Sequence, residues 1–162
     1  MDGTHSAKVL QIRVADTGDA PEIAICLEAA FAPYRDLYSS EAYADTVANT
    51  DGILRRIADM HVLVAVEGNR VAGTIAGAHN QRREGHLRGM AVLPQRQGLG
   101  IAGQLLIGIE DYLRAQRCSR ITLDTTLPLR RAIRFYERRG YRHTGVIGDF
   151  FGMPLYEYAK DL

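Results

Sequence analysis

Residues 92–102 (VLPQRQGLGIA) contain the pattern best suited to ligand binding, because small residues stand where a long helix is expected to begin. The first turn of a helix has backbone N–H groups without intrahelical partners and carries the positive end of the helix dipole, so it can bind a pyrophosphate without charged side chains. Gly98, Gly100 and Ala102 would keep side-chain bulk away from such an anion. A tight turn between a strand and a helix also uses small residues, and Gly-x-Gly alone would favour that interpretation.

The full spacing of this segment favours ligand binding. Gln97-x-x-Gly100-x-Ala102, with Val92-x-Pro94 just before it, resembles the acyl-CoA signature (Q/R-x-x-G-x-G/A) of the GNAT superfamily of N-acetyltransferases. A P-loop and a dinucleotide-binding site are set aside, because no Gly-Lys-Ser/Thr follows and the preceding strands look antiparallel. The resemblance implies acetyl-CoA as the acetyl donor. It assigns the pyrophosphate to Gln97, Gly98, Leu99, Gly100, Ile101 and Ala102.

The resemblance also implies donor contacts on either side of the signature. Backbone groups of Ala91 and Val92 are expected to hold the carbonyl and the pantetheine of acetyl-CoA, since a splayed strand leaves N–H and C=O groups free. The Asn that the family often carries at the start of the next helix is Leu129 here. Arg130 or Arg131 could compensate by reaching phosphate, although this arginine-rich helix could equally present a solvated face.

Tyr136 is the candidate general acid. The strand RITLDT leads into Ala132-x-x-x-Tyr136, the order in which the family places a strand and its A-x-x-x-Y helix. The resemblance implies that this tyrosine protonates the departing thiolate, and a phenol stays protonated at neutral pH and can donate. The alternative is an aromatic side chain that only packs beside Phe135 and Ile133.

The general base is less defined by the sequence. Glu84, His86 and Arg88 share one face if their strand is regular, whereas a bulge would reverse the parity. His86 lies where some relatives carry a catalytic Glu, and an imidazole can accept a proton directly or through water. Glu84 is the second candidate. A surface histidine, with water as the base, is the alternative.

The acceptor is expected to be a primary amine of a small molecule or a peptide. In the family it contacts the first two helices and the last hairpin, where aromatic residues and one cation could form a pocket for an amine that carries a carboxylate. The residues concerned are Phe31, Tyr34, Arg35, Tyr38, Phe150 and Phe151. Alternatively, Phe31 and Tyr34 belong to the core, and Phe150 and Phe151 pack in a homodimer contact.

Hydrophobic periodicity predicts the elements that position these residues. A strand at 8–14 precedes a helix that begins near Ala20 with a capping box from Asp19 to Glu22 and carries Cys26 in the core. Two short helices follow, separated at Thr50-Asp51-Gly52. Three antiparallel strands come next, at 62–67, 70–79 and 84–93, and Gly68-Asn69 makes the first hairpin turn.

The second half of the chain predicts a parallel crossover. An amphipathic helix at 98–116 connects to a strand at 120–125, and Pro128 opens a further helix with Gly140 as its C-cap. Two more strand-like runs close the chain. The resulting fold class is α/β (α+β), the GNAT acyl-CoA N-acyltransferase fold, with a mixed, mostly antiparallel sheet of about seven strands flanked by about four helices.

Composition limits the remaining function classes. The 162 residues suit a single domain, and 46% hydrophobic with 24% charged residues excludes a disordered chain. A net charge of +1 predicts no nucleic-acid partner. No apolar run indicates a signal core or a membrane span, and the two cysteines lack the spacing of metal ligands, so we expect a cytoplasmic protein without a metal site.

Together these patterns predict an N-acetyltransferase that uses acetyl-CoA. Direct attack of the amine on the thioester is the mechanism that the resemblance implies. A module of the same fold that binds acyl-CoA without catalysis is the alternative, and Tyr136 is the residue that argues against it.

Overall fold

The computed structural model describes residues 9–162, which form one seven-stranded sheet covered by helices on both faces. The strands are β1 (Leu10–Val14), β2 (His61–Glu67), β3 (Arg70–His79), β4 (Glu84–Val92), β5 (Arg120–Thr125), β6 (Arg142–Phe150) and β7 (Met153–Asp161). The α-helices are α1 (Ala20–Phe31), α2 (Ser40–Thr46), α3 (Thr50–Asp59), α4 (Ile101–Ala115) and α5 (Arg130–Arg138).

The sheet is antiparallel except at one pair of strands. Its strand order is β1-β2-β3-β4-β5-β7-β6, and only β4 and β5 are parallel because α4 crosses over between them. The predicted hairpin at Gly68-Asn69, the three antiparallel central strands and the crossover are all confirmed. Residues 9–162 contain five α-helices, one more than expected.

Two hydrophobic clusters hold the helices on opposite faces of the sheet. One face packs α4 and α5 through residues such as Leu105, Ile109 and Tyr141. The other face packs α1 and α3, with Ile23, Cys26 and Ile53 fully buried, so the prediction that Cys26 is a core residue is confirmed. Burial of these side chains removes apolar surface from water, which is the main contribution that holds the layers together.

The helix start near Ala20 is confirmed, but its predicted cap is wrong. The Asp19 backbone is already helical, and its side chain makes no cap to α1. Asp16 has an extended backbone and accepts the Gly18 N–H instead, while Asp19 reaches back to the Asp16 N–H and forms a bidentate pair with Arg13. The capping box therefore closes the short turn before α1, one turn earlier than predicted.

The boundary between α2 and α3 also differs from the prediction. Thr50, Asp51 and Gly52 form the first turn of α3 and do not interrupt the helix. Asn49 caps that turn by accepting the Gly52 N–H at 2.9 Å. The helical run is interrupted just before Asn49. The backbone of Asn49 is extended, and its side chain accepts from an N–H group of the following turn that has no partner within the helix.

The feature of the sheet that matters most for function is the divergence of β4 from β5. The two strands pair only from Glu84 to Leu87 on β4. The β3–β4 register shifts further along, and Gly89 has a φ of 66°, which marks a bulge. The sheet therefore opens between β4 and β5 on the side of the α4 N-terminus.

None of the helices in residues 9–162 is both long enough and apolar enough to cross a membrane.

Candidate active site

A continuous cavity of about 920 Å³ occupies the gap where β4 and β5 diverge. One end lies at the first turn of α4 and the arginines of α5, and the other lies between α2, α3 and the β6–β7 hairpin. The β4 segment from His86 to Val92 forms its floor together with the end of β5.

The first turn of α4 faces the cavity without a side-chain cap. Gly100 is the N-cap residue, and its φ of 82° lies in the left-handed region that favours glycine. Gly98 has a φ of 80° in the same turn. A Cβ on Gly100 would meet no atom within 4 Å, so the space in front of the helix is open. Uncapped N–H groups beside open space form a site for an anion.

Gln97 braces this turn through two hydrogen bonds. Its amide Nε2 donates to the Val92 carbonyl at 3.1 Å, and its Oε1 accepts from Arg131 Nη1 at 2.9 Å. Gln97 therefore connects the end of β4 to α5 and fixes the position of the Arg131 guanidinium beside Gly98. The sequence pattern predicts that Gln97 contacts the anion. In the structure its side chain instead hydrogen-bonds the end of β4 and Arg131.

A second arginine, Arg139 at the C-cap of α5, approaches α4 at Gly103. A Cβ on Gly103 would lie 2.6 Å from Arg139 Nη2, so glycine leaves room for this guanidinium over the first turn of α4. The Arg139 guanidinium also lies 5.0 Å from the Phe135 ring centroid. Arg131, Arg138 and Arg139 line the cavity, whereas Arg130 does not. Part of the arginine-rich face of α5 thus points toward the anion site.

Tyr136 lines the cavity from α5 and is almost fully buried. Its ring makes edge contacts with Phe135 and Tyr141, at centroid distances of 5.3 and 5.5 Å. Burial raises the pKa of the Tyr136 phenol, so the hydroxyl remains protonated across the physiological range. Tyr136 can therefore pack among neighbouring aromatic rings and also act as a general acid.

His86 belongs to a polar cluster at the point where β4 and β5 separate. Its Nδ1 lies 2.9 Å from Thr122 Oγ1, and its Nε2 lies 3.6 Å from Asp124 Oδ2. Burial raises the pKa of the Asp124 carboxyl, and the His86 imidazole opposes part of that effect. His86 and Asp124 both line the cavity, where either could exchange a proton with a bound ligand.

The remaining residues predicted on β4 lie in different environments. The strand is regular from Gly85 to Arg88, and Glu84 lies outside the cavity at the closed end of the β4–β5 pair. Ala91 and Val92 line the cavity beyond the divergence, and one of their backbone carbonyls already accepts the bond from Gln97. The structure thus brings His86 to the site and leaves Glu84 away from it.

Aromatic side chains form the end of the cavity opposite to α5. They are Phe31, Tyr34, Tyr38, Phe150 and Phe151. Tyr38 Oη lies 2.7 Å from Thr126 Oγ1, and Ser39 Oγ donates to the Phe151 carbonyl at 2.9 Å. These contacts connect the segment after α1 to β5 and to the β6–β7 hairpin, so they close this end of the cavity.

The cation predicted for this pocket is wrong. Arg35 does not line the cavity, because its guanidinium lies over the Tyr43 ring at 5.3 Å from the centroid. Arg56 of α3 takes that place and is only 9% exposed. A sequence signal for Arg56 existed: it lies three residues after Ile53 and four before Met60, on the apolar stripe of its helix.

Asp124 is the other site residue that sequence reasoning missed. It stands two residues after Thr122 on β5, so both side chains project from the same face of the strand. The alternation of apolar and polar residues in RITLDT, which puts Asp124 on the polar face of the strand, was a signal. Its proximity to His86 depends on the parallel register of β4 and β5, which opposes His86 to Thr122.

Gly98, Gly100 and Gly103 do have the spacing G-x-G-x-x-G, so the motif alone does not exclude the dinucleotide-binding site that was set aside above. The sheet distinguishes this site from a dinucleotide fold. The strands beyond β4 and β5, which are β3 and β7, both run antiparallel to their neighbours, whereas a doubly wound dinucleotide fold is mostly parallel.

Comparison with known proteins agrees with this geometry. The model of the Acetyltransferase (GNAT) family matches residues 24–141. An aminoalkylphosphonate N-acetyltransferase of Salmonella typhimurium is 28% identical over 143 residues, which cover 84% of this chain and 87% of that protein. An uncharacterized N-acetyltransferase of Methanocaldococcus jannaschii is 34% identical over 89 residues, which cover 54% of this chain and 56% of that protein.

A solved structure shares the fold along almost the whole chain. The PaiA N-acetyltransferase from Thermoplasma acidophilum, determined in complex with coenzyme A, superposes with a TM-score of 0.79 and 16% identity. The superposition covers 95% of this chain and 99% of that protein. This likeness confirms the fold predicted from the sequence.

Proposed function

Because the chain belongs to the acetyltransferase (GNAT) family, we propose that it transfers an acetyl group from acetyl-CoA to the primary amine of a small molecule. Acetyl-CoA-dependent N-acetylation, predicted from the sequence, is confirmed at the level of the family. One observation carries the proposal for this chain. A single cavity joins the uncapped first turn of α4 to Tyr136 and to the His86–Asp124 pair.

The first turn of α4 fits the pyrophosphate of acetyl-CoA. Its N–H groups have no side-chain cap, and Gly98 and Gly100 leave the approach open. Arg131 and Arg139 bring positive charge beside that turn, one bonded to Gln97 and the other over Gly103. An anion here gains backbone hydrogen bonds, a favourable helix dipole and two cations, which supports this segment as the site of the phosphates.

Tyr136 is proposed as the proton donor to the leaving group. Acetyl-CoA supplies an acetyl thioester, which loses a thiolate when the amine attacks its carbonyl. A donor must be protonated at neutral pH and must reach the cavity, and Tyr136 meets both conditions. Burial also excludes water around the phenol, so the proton passes to a ligand rather than to solvent.

His86 and Asp124 are proposed to accept the proton of the attacking amine. They lie on β4 and β5 at the floor of the cavity, and Thr122 holds the His86 ring through Nδ1. Asp124 beside Nε2 stabilises the imidazolium that forms when the ring takes a proton. Ordered water between the pair and the amine could carry the same proton.

A small-molecule acceptor is favoured over a peptide. The acceptor end of the cavity is bounded by α2, α3 and the β6–β7 hairpin, and the Ser39–Phe151 contact joins two of these elements. The Salmonella relative is named for a small amine, an aminoalkylphosphonate. A pocket bounded by several elements in this way suits a compact ligand better than an extended chain.

The decisive experiment measures thiol release from acetyl-CoA with a panel of primary amines, and compares Tyr136→Phe with Tyr141→Phe. Both changes remove one buried hydroxyl, but only Tyr136 lines the cavity. We expect Tyr136→Phe to lower kcat by about 100-fold or more while acetyl-CoA affinity is unchanged. Tyr141→Phe should retain full activity, because its hydroxyl has no hydrogen-bond partner to lose in the described part of the chain.

Protein thiols will not obscure this assay. Burial raises the pKa of Cys26 to about 12 and also raises that of Cys118, so neither is a reactive thiolate at assay pH. Absence of thiol release with every amine would contradict the proposed function. Equal activity of the two variants would contradict only the role of Tyr136.

A further inference from the structure

Arg56 is a buried arginine at the acceptor end of the cavity. It is 9% exposed, it lies on α3, and it lines the cavity near the β4 bulge. Within residues 9–162 no carboxylate lies within ion-pair distance of its guanidinium, and it donates no side-chain hydrogen bond there. The acidic residue that acts on it, Asp45, is bonded to Arg88 at 2.7 Å.

Such a charge is costly unless an anion compensates it. Removing a guanidinium from water without an anionic partner costs desolvation free energy, and packing contacts do not offset this cost. Here two cations, Arg56 and Arg88, share the single carboxylate of Asp45. Burial and the neighbouring Arg88 lower the pKa of Arg56 to about 10, which still leaves it charged at neutral pH. The local excess of one positive charge lies at the cavity wall.

The backbone of β4 makes room for this guanidinium. A Cβ on Gly89 would clash with Arg56 Nη1, so any other residue at position 89 would displace the arginine. Gly89 also has a φ of 66°, which favours glycine at the bulge. The bulge at which β4 separates from β5 therefore also leaves space for the Arg56 guanidinium at the acceptor end of the cavity.

We infer that Arg56 binds a compact anionic group, a carboxylate or a phosphonate, on the amine that this enzyme acetylates. This inference rests on the proposed function and specifies its substrate class. A guanidinium presents its N–H groups in a planar fork that matches both anions. Arg88, already paired with Asp45, completes the positive side of this subsite.

The position of the subsite limits the length of the acceptor. Gly89, which faces Arg56, follows His86 by three residues on β4, a separation of at most about 10 Å at the usual rise of a strand. The amine must lie near His86 while the anion contacts Arg56. A chain of a few methylene groups between the amine and the anion satisfies this distance, whereas a protein substrate is not required.

The test uses acceptors that differ only in the charge of their far end. They are 4-aminobutyrate, 4-aminobutan-1-ol and 1,4-diaminobutane, with 3-aminopropylphosphonate to separate a phosphonate from a carboxylate. We expect kcat/KM for an anionic acceptor to exceed that of the alcohol by about 10- to 100-fold, the usual value of hydrogen bonds to a charged group. The diamine should be the poorest acceptor.

Arg56→Met should remove this preference, so that within the variant kcat/KM for the anionic acceptors falls to that for the alcohol. Arg55→Met is the matched control, because Arg55 is exposed on the same helix and does not line this cavity. Arg56→Met should also raise Tm or leave it unchanged, since it removes an uncompensated buried charge, whereas a structural arginine would lower Tm when lost. Arg56→Lys keeps the charge without the planar fork and should restore part of the preference.

The possible outcomes separate this inference from the proposed function. Equal turnover of anionic and neutral amines, or a preference that survives Arg56→Met, would overturn it while acetyl transfer stands. If no acceptor of the set is turned over, thermal stabilisation of the acetyl-CoA complex by the anionic amines decides. Stabilisation that depends on Arg56 supports the subsite, and its absence overturns it. Loss of acetyl-CoA binding itself would instead contradict the proposed function.

Discussion

Gly100→Ala tests the anion site at α4, and Gly145→Ala provides a matched control. Both glycines are exposed and have positive φ values, 82° and 91°, and a Cβ on either would meet no atom within 4 Å. Both substitutions therefore impose the same backbone strain without a clash. They differ in place, because Gly100 lines the cavity at the first turn of α4 and Gly145 lies on β6 outside it.

The magnitudes follow from this difference. An alanine in the left-handed region costs about 1–2 kcal/mol. At about 2–4 °C of Tm per kcal/mol for a domain of this size, both variants should melt a few degrees lower and by similar amounts. Only Gly100→Ala should place a methyl group where the pyrophosphate contacts the N–H groups. Loss of one such charge-assisted bond costs about 1.5–3 kcal/mol, so acetyl-CoA should bind about 10- to 100-fold more weakly.

Isothermal titration with acetyl-CoA and thermal melts with and without ligand measure both effects. Gly145→Ala should bind acetyl-CoA with wild-type affinity, and saturating ligand should raise its Tm by the wild-type increment. If the two variants bound acetyl-CoA equally well, the first turn of α4 would not be the site of the pyrophosphate. If Gly145→Ala alone retained its Tm, the assumption of equal strain would be wrong.

Two further predictions concern charge pairs outside the cavity. Lys160→Met should destabilise the protein by about 3 kcal/mol in urea unfolding, because Lys160 Nζ lies 2.7 Å from the Glu110 carboxylate, whose side chain is 6% exposed. Adding Glu110→Gln should recover most of this loss, and a double variant whose destabilisation equals the sum of the two single losses would contradict the prediction. Asp19→Asn should cost about 1 kcal/mol at pH 7. The Arg13 hydrogen bond lowers the pKa of Asp19, so the stability that Asp19 contributes is present above the ordinary pKa of the carboxyl and is lost as pH falls through the lowered value. A difference in unfolding free energy between wild type and Asp19→Asn that stayed constant down to pH 3 would contradict this.

Several parts of this protein follow from local sequence patterns. The Gly68-Asn69 turn, the alternation of the central strands and the apolar stripe of α4 are properties of neighbouring residues, and the structure contains each of them. The strand-to-helix turn at Gly98 and Gly100 also depends on local backbone freedom. Such features can be predicted because side-chain periodicity and glycine conformations act over a few residues.

Other features depend on contacts between distant segments. His86 meets Asp124 only through the β4–β5 register. No single strand contains the information for this pairing, because register is decided by the packing of the whole sheet.

The cation of the acceptor pocket shows most clearly the difference between what local sequence patterns predict and what contacts between distant segments decide. Sequence proximity to Tyr34 and Tyr38 favoured Arg35, but a single turn after α1 directs Arg35 onto the Tyr43 ring. Arg56 reaches the cavity because α3 packs against the sheet beside the bulge at Gly89. The sequence by itself determined the class of fold and the donor signature, since both rest on local patterns. Tertiary structure decided which charges face the acceptor, because burial and opposition across the cavity exist only once the distant elements have packed together.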